Sequence, residues 1–310
     1  MSNYLKIEVF GVDGSHWIIS GPGSPTDINA DYGVELSPKL KGAIDAPVKS
    51  LWLPSSYGEE FVTFRWKRRE VIFSVQVFVE DSGDEDVDAE TWMSLDWAWR
   101  SAWDYVKETT VRYTTSAGYR DLKLRMIEEP NAYESNDYEG KDPFLYRESS
   151  IVMTTAAELP FYVAEPLIYD FTLDSEYSSG YGVFPIKVDC DVPVWGRYTL
   201  TDKATWTLPD FSWGSEEYGR GVEHSGRTVT LPALLQGEGV VVDSDPRVQT
   251  ILAANRAPVQ SRWKGNDMLY PFAPGATANL PISVKDVTGG ARARLVIPRW
   301  YTRPWSRPLP

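Results

Sequence analysis

The reading of the fold turns on the last third of the chain: Arg227-Thr-Val-Thr-Leu-Pro-Ala-Leu-Leu-Gln-Gly-Glu-Gly-Val-Val-Val-Asp-Ser-Asp-Pro-Arg247. It continues as Val248-Gln-Thr-Ile-Leu-Ala-Ala-Asn255, an aromatic turn Leu269-Tyr-Pro-Phe-Ala-Pro-Gly275, and two apolar runs, Leu280–Val284 and Ala293–Ile297. Short β-branched runs punctuated by Gly, Pro and Asp are what a packed antiparallel sandwich asks of its sequence. Gln249–Ala254 reads either as a strand or as a helical turn. No residue in this stretch is poised for chemistry.

Working upstream, the pattern repeats as Ile168–Leu173, Val183–Val188, Val192–Leu200, Lys203–Leu208 and Thr228–Leu231. Polar and aromatic loops separate these runs at Ser175–Tyr181 and Pro209–Ser225. Regular short strands without a helical period predict a sandwich or jelly roll. Leu159-Pro-Phe-Tyr-Val-Ala-Glu-Pro166 breaks the pattern with two prolines, so a domain boundary is placed there. The domains are then 1–165 and 166–298, with residues 299–310 as a Pro/Arg/Trp-rich extended arm.

The first half is also mainly β but holds the one helix. Tyr4–Phe10, His16–Ile19, Ser50-Leu-Trp-Leu53, Glu60–Trp66 and Glu70–Val79 alternate; in the last, Val71, Phe73, Val75, Val77 and Val79 share a face. Thr109–Thr115 and Tyr119–Met126 form a hairpin pattern, and Ser149–Ala157 returns to strand. Gly21–Asn29 and Lys41–Lys49 have loop composition. Seven acids, at Glu80, Asp81, Asp84, Glu85, Asp86, Asp88 and Glu90, precede or open a helix near 87–106, where negative charge suits the macrodipole. Asp86 or Asp88 would cap it. Trp92, Leu95, Trp99, Ala102, Trp103 and Val106 recur at helical steps as a core stripe. Trp97 lies off that stripe, exposed or against a partner.

Composition removes several function classes. The chain has 310 residues, more than one core usually needs. With 31 basic and 44 acidic residues its net charge is −13, which disfavours sequence-independent binding to DNA or anionic membranes and suits a surface that DNA passes without sticking. The single cysteine, Cys190, excludes an internal disulfide. No signal-peptide pattern opens the chain and no run reaches the ~20 apolar residues of a membrane span. The only histidines, His16 and His224, sit in polar contexts, too few for a Cys/His metal cluster or a His-based nucleophile system. Asp243 and Asp245 precede Pro246 as turn chemistry rather than a calcium loop. Gly237-Glu-Gly and Gly21-Pro-Gly lack phosphate-loop spacing. No catalytic, cofactor or metal residue is assigned. The aromatic content, 13 Trp, 17 Tyr and 11 Phe, suits β cores and protein interfaces. Arg299, Trp300, Arg303 and Trp305 carry hot-spot residue types and, with Trp97, are the candidate interface residues.

Thr228–Arg247, with Leu252-Ala-Ala-Asn255, Leu269–Gly275, Ile282-Ser-Val284 and Pro298-Arg-Trp-Tyr-Thr-Arg-Pro-Trp305, resembles the second domain of distal tail proteins of long-tailed phages of actinobacteria, often filed as minor tail proteins. Arg69-Glu-Val-Ile-Phe-Ser-Val-Gln-Val77, the Trp-rich helix and Leu122-Lys-Leu-Arg125 are similar in order to that family's first half. The likeness covers nearly the whole chain through pattern-level motifs. One departure stands out: Asn255-Arg256 occupies a turn where members often carry Asn-Gly.

The resemblance implies a first domain that forms a hexameric ring, or belt, and a galectin-like sandwich at its periphery. It implies a structural, non-enzymatic virion protein of the tail tip, assembled in the host cytoplasm. The ring would link the tail tube protein to the tail-tip hub around an axial channel for the tape measure protein and passing DNA, without membrane insertion. Gly21–Tyr32 and Glu128–Asp142 are long enough to reach neighbours. A carbohydrate-binding module contacting host glycan through exposed Trp206 or Trp213 is the alternative, and a glycan hydrolase with a carboxylate pair is a third class.

Overall fold

The computed structural model describes residues 5–131, 146–215, 220–264 and 266–305. Residues up to Val163, together with the segment from Thr302, form one compact unit, and Ala164–Tyr301 form another.

The first unit runs β1 (Lys6–Phe10), β2 (His16–Ser20), a single helical turn α1 (Pro25–Ile28), β3 (Tyr32–Lys41), β4 (Val48–Ser55), β5 (Gly58–Trp66), β6 (Arg69–Val79), α2 (Glu85–Ser101), β7 (Thr109–Thr115), β8 (Gly118–Met126) and β9 (Glu148–Ala157). Its pairings are antiparallel: β2-β1-β7-β8 form one run, joined through a short β8–β9 pairing to a second, β3-β6-β9, while among the described residues β4 and β5 pair only with each other. The alternation in β6 sets the core. Val71, Phe73, Val75 and Val77 are buried on one face, whereas Ile72, Gln76 and Phe78 on the other are half-buried.

Helix α2 packs on β6 and β3 through the tryptophans of its stripe. Trp99 meets Trp17 at 5.7 Å and Trp103 at 5.6 Å between ring centroids, and Trp103 meets Phe73 at 5.5 Å. Burying such a side chain stabilises by roughly 1.5–3 kcal/mol. The structure corrects the expected helix in two respects. Its N-cap is Asp84, whose carboxylate accepts from Val87 N at 3.2 Å, because Asp88 is buried and already held by Ser82 and Arg147. The helix also ends at Ser101, so the stripe closes with buried Ala102 and Trp103 while Val106 faces solvent. Gly21–Tyr32, read as a loop, contains α1, which ends at Asn29 in the left-handed region.

β10 (Tyr162–Leu173) leads into the second unit, followed by β11 (Gly180–Lys187), β12 (Arg197–Leu200), β13 (Thr205–Pro209), β14 (Thr228–Thr230), β15 (Val240–Asp243), β16 (Ile251–Ala253), β17 (Thr277–Lys285) and β18 (Ala291–Tyr301). The sheet β11-β17-β13-β14 lies in a sandwich with β16-β15-β12-β18-β10. Phe184, Ile186, Trp206 and Leu208 point inward from the first sheet, and Tyr198, Val240, Val242 and Leu295 from the second. Of the two readings left open for Gln249–Ala254, the strand is the one adopted.

Residues 299–301 belong to β18 rather than to an extended arm. A proline is admissible in this strand because Pro298 lies beyond Val296, the last residue that β12 pairs. At the departure from the family pattern, Arg256 is left-handed, with φ 61°. That conformation costs a non-glycine residue about 1 kcal/mol or more, and Arg256 is exposed. Arg256→Gly is therefore expected to raise stability by about 0.5–1 kcal/mol net of glycine's greater freedom when unfolded. Urea denaturation checks this; a lowered midpoint would contradict it.

Candidate assembly interface

β4 and β5 form a hairpin of an unusual kind. Every residue of β4, and all of β5 except the half-buried Trp66, is exposed. An isolated two-stranded hairpin is at best marginally stable in water, and exposed apolar strands are normally avoided. This one carries Val48, Leu51, Trp52, Leu53, Phe61, Val62 and Phe64, each about half exposed or close to it, with Tyr57 fully exposed at the tip.

Register sorts these side chains into two faces. Val48 opposes Trp66, Ser50 opposes Phe64, and after a register break between Leu51 and Trp52 the latter opposes Phe61. The break places Phe61 rather than Val62 opposite Trp52, since one extra residue reverses the side-chain alternation. The result is an aromatic face: Trp52 lies 5.3 Å from Phe61, Phe64 lies 5.3 Å from Trp66, and Trp66 lies 5.1 Å from buried Phe161, which anchors the root. The opposite face carries Lys49 across from Arg65, Leu51 across from Thr63, and Leu53 across from Glu60.

The root is held by Arg69, which is wholly buried. Its guanidinium donates to Pro160 O (2.8 Å), Ala43 O (2.6 Å), Gly42 O (3.3 Å) and Thr302 O (2.7 Å), and lies 4.8 Å from the centre of the Tyr162 ring. The Tyr162 hydroxyl donates to Ala43 O at 2.6 Å. Burial lowers the Arg69 pKa, raises that of Tyr162, and pushes Tyr113 up to about 12. Gly42 has φ +80°, and a Cβ there would run into the Glu70 carbonyl; the chain can turn toward the hairpin only through glycine.

A second exposed apolar feature lies on α2. Trp97 is 72% exposed and Met93, one turn earlier, 44%. With Asp86 and Glu90 they share one stripe of the helix, opposite the tryptophan core.

The remaining candidate interface residues are scattered. Arg299 and Trp300 sit in β18 of the second unit, with Arg299 paired to Asp189 and donating to Glu165 O at 3.3 Å. Arg303 and Trp305 belong to the first unit, where Arg303 Nε donates to Asp45 at 2.6 Å and Trp305 is exposed. Arg294 likewise meets Asp170 at 2.7 Å. Arg294, Arg299 and Arg303 thus meet acids of their own chain. Of the loops read as reaching neighbours, residues 132–142 lie outside the described residues.

The other candidates are structural. Trp206 is wholly buried, its Nε1 donating to Thr201 O at 3.0 Å, and half-buried Trp213 lies between Phe211 and Phe272; Trp206 cannot serve as an exposed sugar platform. Asp243 pairs with Arg197 and Asp245 with Arg247, so both carboxylates of that corner are engaged. His16 stacks on Phe10 and contacts Glu8 at 3.0 Å, and His224 contacts the Tyr270 hydroxyl at 2.5 Å. Among the described residues no cluster of His, Cys, Asp and Glu could hold a metal, and no helix is long and apolar enough to cross a membrane.

No family model matches the chain. Minor tail protein Gp27 of Mycobacterium phage L5 is 25% identical to it, covering 97% of both chains. The protein of the same name from Mycobacterium phage D29 is 24% identical with the same coverage. The chain is a homologue of these minor tail proteins. Among solved structures, the Dit (gp 19.1) protein of SPP1, described as a paradigm of the hub adsorption apparatus in phages infecting Gram-positive hosts, matches with a TM-score of 0.54 at 10% identity. That match covers 96% of this chain and 99% of Dit. The fold is accordingly that of the distal tail proteins, mainly β with a galectin-like second unit.

Proposed function

We propose that this chain is a structural subunit of a phage tail tip and that six copies close into a ring. The ring joins the tail tube to the tail-tip hub and surrounds a channel through which the tape measure protein and DNA pass. The observation that carries this reading is the β4–β5 hairpin, an apolar arm rooted by a buried arginine and, among the described residues, pairing only with itself. An arm with so much exposed aromatic surface is accounted for when a neighbouring subunit covers it. A patch that meets a different patch on the next copy closes into a ring when the rotation permits. Full-length likeness to minor tail proteins and a charge of −13 along a DNA path support the same reading.

The test replaces Val48–Trp66 by a short Gly/Ser turn and compares both proteins by native mass spectrometry and negative-stain microscopy. The parent chain is expected as hexameric rings, and the shortened chain as monomers with a similar melting temperature. A parent chain that stays monomeric at high concentration, and that forms no ring density in assembled tails, would overturn the reading.

A further inference from the structure

Resting on that ring reading, we infer that Thr302–Trp305 is a strap that makes presentation of the hairpin, and with it ring assembly, conditional on folding of the second unit. The first unit is discontinuous. Its residues up to Val163 are completed by the segment from Thr302, and everything from Ala164 to Tyr301 is inserted between them. The segment that completes the unit lands on the hairpin's root.

Three hydrogen bonds place it there. Arg69 Nη2 donates to Thr302 O at 2.7 Å, Arg120 Nη1 of β8 to Arg303 O at 2.8 Å, and Arg303 Nε to Asp45 at 2.6 Å. Pro304 is buried. The hairpin's two limbs differ in what holds them. The outgoing limb runs directly into β6 at Arg69. The incoming limb is fixed through the Gly42 and Ala43 carbonyls on Arg69 and through Asp45 on Arg303. Strap and incoming limb are thus held by the same arginine and by each other.

Delivery of the strap depends on the inserted unit. Within it β10 and β18 are neighbours, and their contacts run in opposite directions, Arg294 with Asp170 and Arg299 with Glu165. The strands are therefore antiparallel, and the unit's two ends, Ala164 and Tyr301, lie side by side once it is folded. An unfolded insert instead separates Val163 from Thr302 by a long flexible loop, whose closure entropy opposes docking. Folding of the sandwich removes that cost and raises the effective concentration of the strap at Arg69. A copy with an unfolded insert keeps its hairpin loosely set and is left out of the ring, where one faulty copy breaks closure.

The test lengthens this connection in the full chain. A flexible Gly/Ser linker of about 20 residues between Tyr301 and Thr302 removes no side chain but dilutes the strap at its site. Amide exchange over residues 43–49 is expected to be roughly tenfold faster or more, and ring yield roughly tenfold lower or more, with the sandwich's melting transition unchanged. The same linker between exposed Ser175 and Glu176 should change neither readout. A chain ending at Tyr301 should reproduce the effects of the first linker. Rings from the parent, together with a lengthened chain that exchanges and assembles as the parent does, would overturn the strap and leave the ring reading intact. A parent chain that never forms rings would overturn both.

Discussion

Arg69→Ala is expected to lower the stability of the first unit by about 3–5 kcal/mol, the usual cost of dismantling a buried charged network. The guanidinium serves four carbonyls, those of Gly42, Ala43, Pro160 and Thr302, in a fully buried setting. Truncation leaves them without their charge-assisted donors, opens a cavity and strips a cation from beside the Tyr162 ring. For a unit of this size that corresponds to a melting temperature lower by roughly 8–15 °C. Arg69→Lys should recover only part of the loss, because an ammonium cannot reproduce the fork that spans separate chain segments. Gly42 and Ala43 lead toward the hairpin, so ring assembly should weaken even below the melting transition. Calorimetry with native mass spectrometry measures both effects; a melting temperature within 2 °C of the parent would refute this role.

Arg69 also shows where the sequence stops being legible. The alternation of β6 correctly puts Val71, Phe73, Val75 and Val77 on a buried face, and two residues further back it puts Arg69 there too. Nothing local says which carbonyls receive it, since Pro160 lies 91 residues away and Thr302 233. Arg294, Arg299 and Arg303 are opaque for the same reason. Their window contains no acid, yet Asp45, Asp170 and Asp189 reach them from 258, 124 and 110 residues away.

The hairpin is the harder case. Val48–Trp66 has the apolar content of a core strand pair, and periodicity reports which side chains share a face without reporting whether anything in the same chain covers it. A register break that turns Phe61 toward Trp52 leaves no pattern mark either. Trp97 was legible because a helix has one core stripe, and a tryptophan outside it stands out. Trp206 and Trp213 were not, since burial of alternate strand residues depends on which sheet face meets its partner.

In the second unit the largest effect is expected at Asp210, again about 3–5 kcal/mol for Asp210→Ala. Its side chain is wholly buried and pairs with Arg227. It accepts from Leu269 N at 3.0 Å and Tyr270 N at 3.1 Å, while its own amide donates to Arg227 O at 2.9 Å. The residue therefore ties the end of β13 to both the start of the stretch that decides the fold, at Arg227, and the aromatic turn at Leu269–Gly275. Removing it leaves two amides without an acceptor and a half-buried guanidinium without its anion, each a penalty that water cannot fully relieve. Asp210→Asn keeps an acceptor for the amides but not the charge, and should lose about half as much. Because the chain divides into two compact units, the loss should appear in one calorimetric transition and leave the transition of the first unit in place. Rings should still assemble below the lowered transition, since the proposed contacts lie in the first unit. Simultaneous loss of both transitions, or of rings at low temperature, would mean that the sandwich also takes part in the ring contact.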